Sequence, residues 1–369
     1  MRISQRVALH SSNGTGLPAS ARPAREGKPH RKRIREPIQH ANKTPSATAY
    51  LFIAIAAIAT LGHAAWRLAP PPTARVTEYP MLEKDDIPAA IATGKDGSIW
   101  FTIDFSSAIG VFRGGKIERI DKGTRNMDPI GIAVDQENNA WYVDAPALSI
   151  GRIAPNNEIK TFSLGTPVAR LQRLTTAPDS AIWFAEGSAY SVTRLKDNTL
   201  ERYQLQSARG TPYGVAIAPD GKAWATLQQA GQIVRIDPST GKTDWFWVPT
   251  PASAPTDITV DAKGDVWFLE FRSNKLGRIR NEDFTEYPIP SESRIAGVVG
   301  LAAAPDGAIW FAMVRDHGLG RFKDGVFKFF TLPRFGARPI GVAADPAGNI
   351  WYVDLTGFLG NISAADAQR

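Results

Sequence analysis

Short apolar runs that contain a tryptophan recur along most of this chain, with turn-forming residues between them. Short runs of this kind, bounded by Gly, Pro, Asn and Asp, are typical of β-strands joined by tight turns. Successive tryptophans lie 41, 42, 41, 43, 43 and 41 residues apart, a period found in β-propellers. The runs are centred on Trp100-Phe101, Trp141-Tyr142, Trp183-Phe184, Trp224-Ala225, Trp267-Phe268, Trp310-Phe311 and Trp351-Tyr352.

Other positions keep a fixed distance from each tryptophan. A residue that tolerates positive φ stands three residues earlier, which predicts a tight hairpin turn. A third strand follows, as in 150–153 and 276–279, and a fourth closes the unit, as in 159–164, 200–205 and 284–289. Four strands in each repeat predict one propeller blade. The turn residues are Gly97, Asn138, Ser180, Gly221, Gly264, Gly307 and Gly348.

The two ends of the repeat region predict how the ring closes. After Trp351 only 18 residues remain, enough for a third strand at 358–362 and no fourth. The segment Val76-Thr77-Glu78-Tyr79-Pro80 resembles the fourth strand at 284–288. A strand from the beginning of the chain would pair the open edge of the last blade. The sequence therefore predicts an all-β, seven-bladed propeller of four-stranded antiparallel blades over residues 76–369, closed by the 76–80 strand.

The residues before the repeats predict a membrane anchor. No charged residue occurs in 44–66, and 49–61 is almost wholly apolar, so one helix of ~20 residues could cross a bilayer here. We predict a basic, disordered cytoplasmic tail at 1–46, a transmembrane signal anchor at 47–66 and a proline-rich linker at 67–75. The propeller would then lie on the periplasmic or extracellular side of the inner membrane. Cleavage near Gly62-His63-Ala64, followed by secretion, is the alternative.

Charge and cysteine content exclude several functions. The net charge of +7 arises from residues 1–46, which carry +8, so the remainder carries −1. A basic nucleic-acid surface on the propeller is therefore not expected. The chain has no cysteine, which excludes disulfides, thiolate catalysis and cysteine-ligated metals. We expect a monomer.

Candidate ligand-binding residues concentrate at one mouth of the predicted channel, where the first strand of each blade begins and the second ends. Blades three to five place polar residues there, with Asp144 on blade two, whereas blades six, seven and one place apolar ones. The predicted polar wall consists of Gln172, Glu186, Tyr213, Thr256, Asp257 and Glu270. The apolar positions are Val299, Met313, Val314, Ile340 and Ala89.

The acidic residues of this mouth have two interpretations. Asp144, Glu186 and Glu270 could converge on Mg²⁺ or Ca²⁺, which bind several oxygen ligands. They could instead form ion pairs with an arginine that recurs in the third strands, at Arg152, Arg194, Arg235, Arg278 and Arg321.

Histidine is scarce in the predicted propeller. Of five histidines in the chain, His317 alone falls within the blades. It could act as a base, or it could be a solvated loop residue.

The repeat units resemble virginiamycin B lyase, the family that linearises streptogramins. The resemblance rests on Pro212-Tyr213-Gly214-Val215, on 274–279 and on 305–312, and it covers residues 76–369. It implies a seven-bladed propeller that opens a cyclic depsipeptide ester by elimination, with a histidine base and a magnesium ion near glutamates. The positions that match the two family histidines are Val299 and Thr256, and the position that matches the glutamate is Val314. None of these side chains can serve as a base or as a strong metal ligand.

Three functions follow from these patterns. The first is an exported, non-catalytic propeller whose mouth binds a small molecule, a peptide or an envelope protein. The second is a divergent metal-dependent lyase or hydrolase that acts on a cyclic peptide or ester through Glu186, Glu270 and a metal, with Tyr213 as proton donor. The third is a structural hub at the membrane.

Overall fold

The chain folds into a seven-bladed β-propeller, as the repeat predicts. The computed structural model describes residues 75–126, 129–165, 170–205, 210–291, 293 and 296–368. Seven separate four-stranded antiparallel sheets form the blades. The predicted tail, transmembrane segment and most of the linker lie outside the described residues. Among the residues that are described, no helix has the length and apolar character needed to cross a membrane.

Each blade is given from its innermost strand outward. Blade 1 contains β2 Ile87–Thr93, β3 Ile99–Asp104, β4 Ala108–Arg113 and β5 Lys116–Asp121; blade 2 contains β6 Ile132–Val134, β7 Ala140–Asp144, β8 Ser149–Ile153 and β9 Ile159–Ser163. Blade 3 contains β10 Leu171–Thr176, β11 Ile182–Glu186, β12 Ser191–Lys196 and β13 Thr199–Gln204; blade 4 contains β14 Pro212–Ile217, β15 Ala223–Leu227, β16 Gln232–Ile236 and β17 Thr243–Trp247; blade 5 contains β18 Pro255–Val260, β19 Val266–Glu270, β20 Lys275–Arg280 and β21 Asp283–Pro288. Blade 6 contains β22 Val298–Ala303, β23 Ile309–Met313, β24 Gly318–Lys323 and β25 Val326–Thr331; blade 7 contains β26 Pro339–Ala344, β27 Ile350–Asp354, β28 Phe358–Ile362 and, as its outermost strand, β1 Val76–Pro80. A short helix α1, Ala364–Gln368, follows the last strand.

The innermost strands of the seven blades surround a central channel of about 360 Å³. The predicted tight turn joins the first and second strands of every blade. The turn residue that stands three positions before the tryptophan has positive φ in each blade, from 61° at Asn138 to 86° at Gly348. Because the strands are antiparallel, each first strand begins where each second strand ends. We call the face of the disc where these ends meet the mouth.

A glycine in the third strand accommodates an aromatic ring from the second. At Gly277, an added Cβ would lie 2.1 Å from the ring of Phe268, so no larger side chain fits there without displacing the ring. In blade 4 the larger side chain is on the third strand instead, because Val234 of that strand lies opposite the small Ala225 of the second. The same glycine–ring pair recurs as Gly110–Phe101, Gly151–Tyr142, Gly320–Phe311 and Gly360–Tyr352.

The repeated tryptophans are structural. Each is at most 8% exposed. In blades 2, 5 and 7 the indole Nε1 donates a hydrogen bond to an aspartate of the preceding turn, over 2.7 to 3.0 Å. Asp261, for example, also accepts the backbone N–H groups of Lys263 and Asp265. The tryptophan therefore ties the hairpin turn to the interior of the blade.

The ring closes where the first strand meets the last. β1 pairs antiparallel with β28 from Val76↔Ile362 to Pro80↔Phe358 and so completes blade 7. Glu78 accepts hydrogen bonds from the hydroxyl of Tyr352 at 2.7 Å and from Nε of Arg334 at 2.8 Å.

The direction of β1 also fixes the face at which the chain enters the disc. Phe358, the partner of Pro80, follows directly on the loop at the mouth, whereas the partner of Val76 is at the far end of β28. The chain therefore enters β1 from the face opposite the mouth.

Replacement of Glu78 tests this closure. In Glu78→Ala, the buried Tyr352 hydroxyl and the Arg334 guanidinium lose their acceptor, so we expect the free energy of unfolding to fall by about 3 kcal/mol. Urea denaturation followed by tryptophan fluorescence measures the change. Glu158→Ala, which removes an exposed carboxylate from blade 2, is the control and should change stability by less than about 0.5 kcal/mol. Equal effects of the two substitutions would show that the Glu78 contacts do not hold the ring closed.

Candidate functional site

One ion pair spans the channel. Nη2 of Arg173, on β10, lies 2.7 Å from Oδ1 of Asp257, on β18. The second guanidinium nitrogen Nη1 donates to the carbonyl of Ile130 at 2.8 Å, and Asp257 Oδ2 accepts from the backbone N–H of Gly300 at 3.1 Å. The pair therefore links the inner strands of blades 2, 3, 5 and 6. We call Arg173, Asp257 and their contacts the channel brace.

Tyr213, on blade 4, also contacts the brace. The Arg173 guanidinium lies 5.8 Å from the centre of the Tyr213 ring. Burial raises the pKa of Tyr213, although the charge of Arg173 acts in the opposite direction. The hydroxyl therefore keeps its proton at neutral pH, where it can donate a hydrogen bond to a ligand but cannot act as a base.

The brace occupies a position that is glycine or alanine in the other five blades. Ten residues before each repeat tryptophan stand Ala90, Gly131, Arg173, Gly214, Asp257, Gly300 and Gly341. A Cβ added at Gly214 would lie 2.6 Å from the carbonyl oxygen of Thr256 in the next blade, so neighbouring strands approach too closely for most side chains. Blades 3 and 5 alone place charges there, with opposite signs. Sequence reasoning selected Asp257 and missed Arg173, although this column of small residues contained the signal.

A pocket of about 480 Å³ opens at the mouth above the brace, over blades 2 to 4. Its volume lies in the range of small-molecule sites. It brings together two of the predicted residues, Gln172 and Tyr213. Gln172 is buried, Tyr213 is half-buried and Arg170 is exposed at the rim. The pocket, which we call the mouth pocket, is lined by Ile130, Ala145, Pro146, Arg170, Leu171, Gln172 and Tyr213.

The predicted metal carboxylates each contact partners in or beside their own blade. Asp144 Oδ2 accepts from Lys122 Nζ at 2.7 Å and from the hydroxyl of Thr124 at 2.6 Å. Glu186, fully buried, accepts from Ser191 at 3.2 Å and from Arg202 at 3.3 Å. Their cationic partners are Lys122 and Arg202, and not the recurring arginines of the third strands.

Glu270 lies in a separate buried network. Its carboxylate accepts a 2.7 Å hydrogen bond from Ser273. Burial raises the pKa of Glu270 to about 7, and the Ser273 hydrogen bond opposes this rise only in part. The nearby Lys275 is paired with Glu286 at 2.6 Å. Thr256 is buried, and its carbonyl accepts from a threonine hydroxyl on β15 at 2.6 Å.

The donor set does not fit a divalent cation as these side chains stand. Asp144, Glu186 and Glu270 are directed to different partners, and the described part of the chain contains no group of three His, Cys, Asp or Glu side chains placed to hold a metal ion. Their role as metal ligands stays a prediction.

Comparison with known proteins decides the family. The model of the virginiamycin B lyase family matches residues 70–236 and 219–367. The chain belongs to this family. Virginiamycin B lyase of Nocardia farcinica is 30% identical over 229 residues, which are 62% of this chain and 78% of the relative.

Solved structures of family members share the fold. Virginiamycin B lyase of Staphylococcus aureus, in a catalytically inactive histidine-to-alanine variant with quinupristin, aligns with a TM-score of 0.74 at 25% identity. The match covers 78% of this chain and 99% of that one. A streptogramin B lyase structure gives 0.75 at the same identity, covering 80% and 99%.

The positions matched to virginiamycin B lyase catalysis lie on blades 5 and 6. Val299 and Val314 are both half-buried at the mouth end of blade 6, where the backbone N–H of Val314 donates to the carbonyl of Gly297 at 3.3 Å. His317 is exposed in the loop between β23 and β24, and its Nδ1 lies 2.7 Å from the carbonyl oxygen of Ala337. That nitrogen therefore carries a hydrogen and donates a hydrogen bond to the carbonyl.

The raised pKa of Glu270 predicts a pH dependence of stability. Between the usual value of 4.5 and about 7, the folded state binds more protons than the unfolded state, so the free energy of unfolding falls as the pH rises through this window. In Glu270→Gln the titrating carboxyl is absent, so the free energy of unfolding should fall less between pH 5 and pH 8 than it does in the wild type. Urea denaturation at several pH values measures this free energy. Glu137→Gln, at an exposed position, should keep the wild-type slope. An unchanged slope in Glu270→Gln would contradict the assignment.

Proposed function

We propose that this chain is an exported, non-catalytic propeller whose mouth binds a small molecule, a peptide or an envelope protein. The observation that carries this proposal is the mouth pocket, in which the predicted Gln172 and Tyr213 meet above the channel brace. A ligand pocket in proteins commonly combines an apolar lining with a few polar groups that fix orientation. The brace fixes the floor of such a pocket because it joins four blades through one guanidinium and one carboxylate.

The lack of lyase activity is proposed from the chemistry of three side chains. Val299, Val314 and Thr256 stand where the resemblance places two histidines and a glutamate, and a general base alone typically contributes ~100- to 10,000-fold to rate. The Staphylococcus aureus structure bears on this, since its histidine-to-alanine variant is described as catalytically inactive. His317 does not stand at any of the matched positions, and because its Nδ1–H donates to the carbonyl of Ala337, only Nε2 could accept a proton.

A linearisation assay tests this proposal and its alternative, a divergent metal-dependent lyase or hydrolase. We expect quinupristin to remain cyclic after prolonged incubation with the purified protein and Mg²⁺, as judged by mass spectrometry. The Staphylococcus aureus lyase is the positive control. Linearisation that a metal chelator abolishes would overturn the non-catalytic assignment and support the alternative.

We further propose that residues 47–66 anchor the protein in the inner membrane, with the propeller on the exported side as a monomer that does not bind nucleic acid. The segment is uncharged and follows the basic stretch 1–46, which favours a cytoplasmic tail. Secretion after signal cleavage is the alternative.

Cysteine labelling tests the topology, because the native chain has no cysteine. In intact spheroplasts, a membrane-impermeant maleimide should label Phe335→Cys, at the exposed mouth side, and Thr240→Cys, on the opposite face. It should label Ser20→Cys, in the tail, only after lysis. Labelled protein in the medium would indicate secretion, and labelling of Ser20→Cys before lysis would contradict the predicted orientation.

A further inference from the structure

The mouth pocket has a positively charged polar end. Arg170 stands exposed at its rim and lines the same pocket as Tyr213. Among the described residues that line the pocket, none is an aspartate or a glutamate. The charge of Arg173 beneath the pocket is already balanced by Asp257. Among the described residues that line the pocket, Arg170 therefore supplies the net charge.

The two acids nearest to the pocket in the described part of the chain do not cancel this charge. Asp144 precedes the pocket residues Ala145 and Pro146, but it is 2% exposed and bonded to Lys122. Glu186 lies opposite Leu171 in the sheet, but it is completely buried and directed to Ser191 and Arg202. Each carboxylate is paired with a cation of its own, so neither is available to Arg170.

The rest of the pocket is apolar with two further polar groups. Ile130, Pro146 and Leu171 provide aliphatic surface. The buried Gln172 amide offers donors and an acceptor, and the Tyr213 hydroxyl retains its proton. An apolar surface, a peptide-like hydrogen-bonding group and one cation thus occur side by side in about 480 Å³.

We propose that the mouth pocket binds N-acylated amino acids, or peptide ends, that carry a free carboxylate next to an apolar side chain. The carboxylate pairs with Arg170, the apolar side chain packs on Ile130, Pro146 and Leu171, and the amide meets Gln172. This inference rests on the proposed binding function and names its ligand class. An arginine is suited to the task because its planar guanidinium matches the geometry of a carboxylate.

A matched pair of probes tests the role of the carboxylate. Titration of the full-length protein with N-acetyl-L-phenylalanine, followed by calorimetry, should give saturable binding. N-acetyl-L-phenylalaninamide, which replaces the charged carboxylate with a neutral amide, should bind several-fold more weakly, since an ion pair to a solvent-exposed side chain is weakened by screening. Affinity for the acid should fall as the NaCl concentration rises, because Arg170 is exposed to solvent.

Arg170→Gln should reduce the preference for the acid over the amide to near unity. Arg338→Gln is the matched control: both arginines are exposed and stand 13 residues before the tryptophan of their blade, and Arg338 belongs to blade 7, away from the pocket. It should retain the preference. Tyr213→Phe and Gln172→Leu should weaken the binding of both probes. These substitutions change the part of the pocket that does not distinguish the acid from the amide.

The outcomes separate the ligand class from the proposed function. Equal binding of acid and amide, or equal effects of Arg170→Gln and Arg338→Gln, overturns the carboxylate assignment and leaves a binding pocket for neutral ligands. No binding of the acid at about 10 mM also overturns the assignment. Competition by inorganic phosphate at the same concentration would show a general anion site instead. Quinupristin linearisation, measured separately, bears only on whether the protein is catalytic.

Discussion

The structure depends on closure of the ring by strands from the two ends of the chain. Each blade packs its faces against its two neighbours, so an open ring would expose two apolar faces and a free strand edge. The β1–β28 pairing covers these faces and this edge. Side-chain hydrogen bonds from Arg334 and Tyr352 to Glu78 also hold the register of the pairing. The closed central channel, which all seven innermost strands surround, requires the seventh blade to be complete.

The fold could be predicted from the sequence because its determinants repeat. Tryptophans, turn glycines and third-strand glycines recur at fixed offsets, and each has a local cause, such as the Phe268 ring over Gly277. The site could be predicted only in part. Gln172 and Tyr213 meet at the mouth because their strands begin there, but the direction of an acidic side chain depends on partners far away in sequence. Asp144 turns to Lys122 and Glu186 turns to Arg202, and no periodicity marks those partners.

The departures from the repeat carry the chemistry of this propeller. A family scaffold fixes where strands begin and end, whereas function depends on the side chains placed at those ends. In the column of residues that faces the channel, five blades have glycine or alanine and two have opposite charges. Arg173 and Asp257 are 84 residues apart in sequence and form an ion pair at 2.7 Å. The two residues that depart from the repeat in this column therefore connect the inner strands beneath the mouth pocket.

The use of the first strand to complete the last blade also determines the order of assembly during synthesis. Val76 to Pro80 leaves the ribosome before any of the blades, yet its partner Phe358 to Ile362 leaves after all the other strands. Blades 1 to 6 consist of consecutive strands and can form as the chain emerges, because domains and repeats generally fold in the order in which they are made. The nascent protein must therefore carry an unpaired strand until the last blade has been made, and a chain that stopped before that blade would retain six whole blades but no ring.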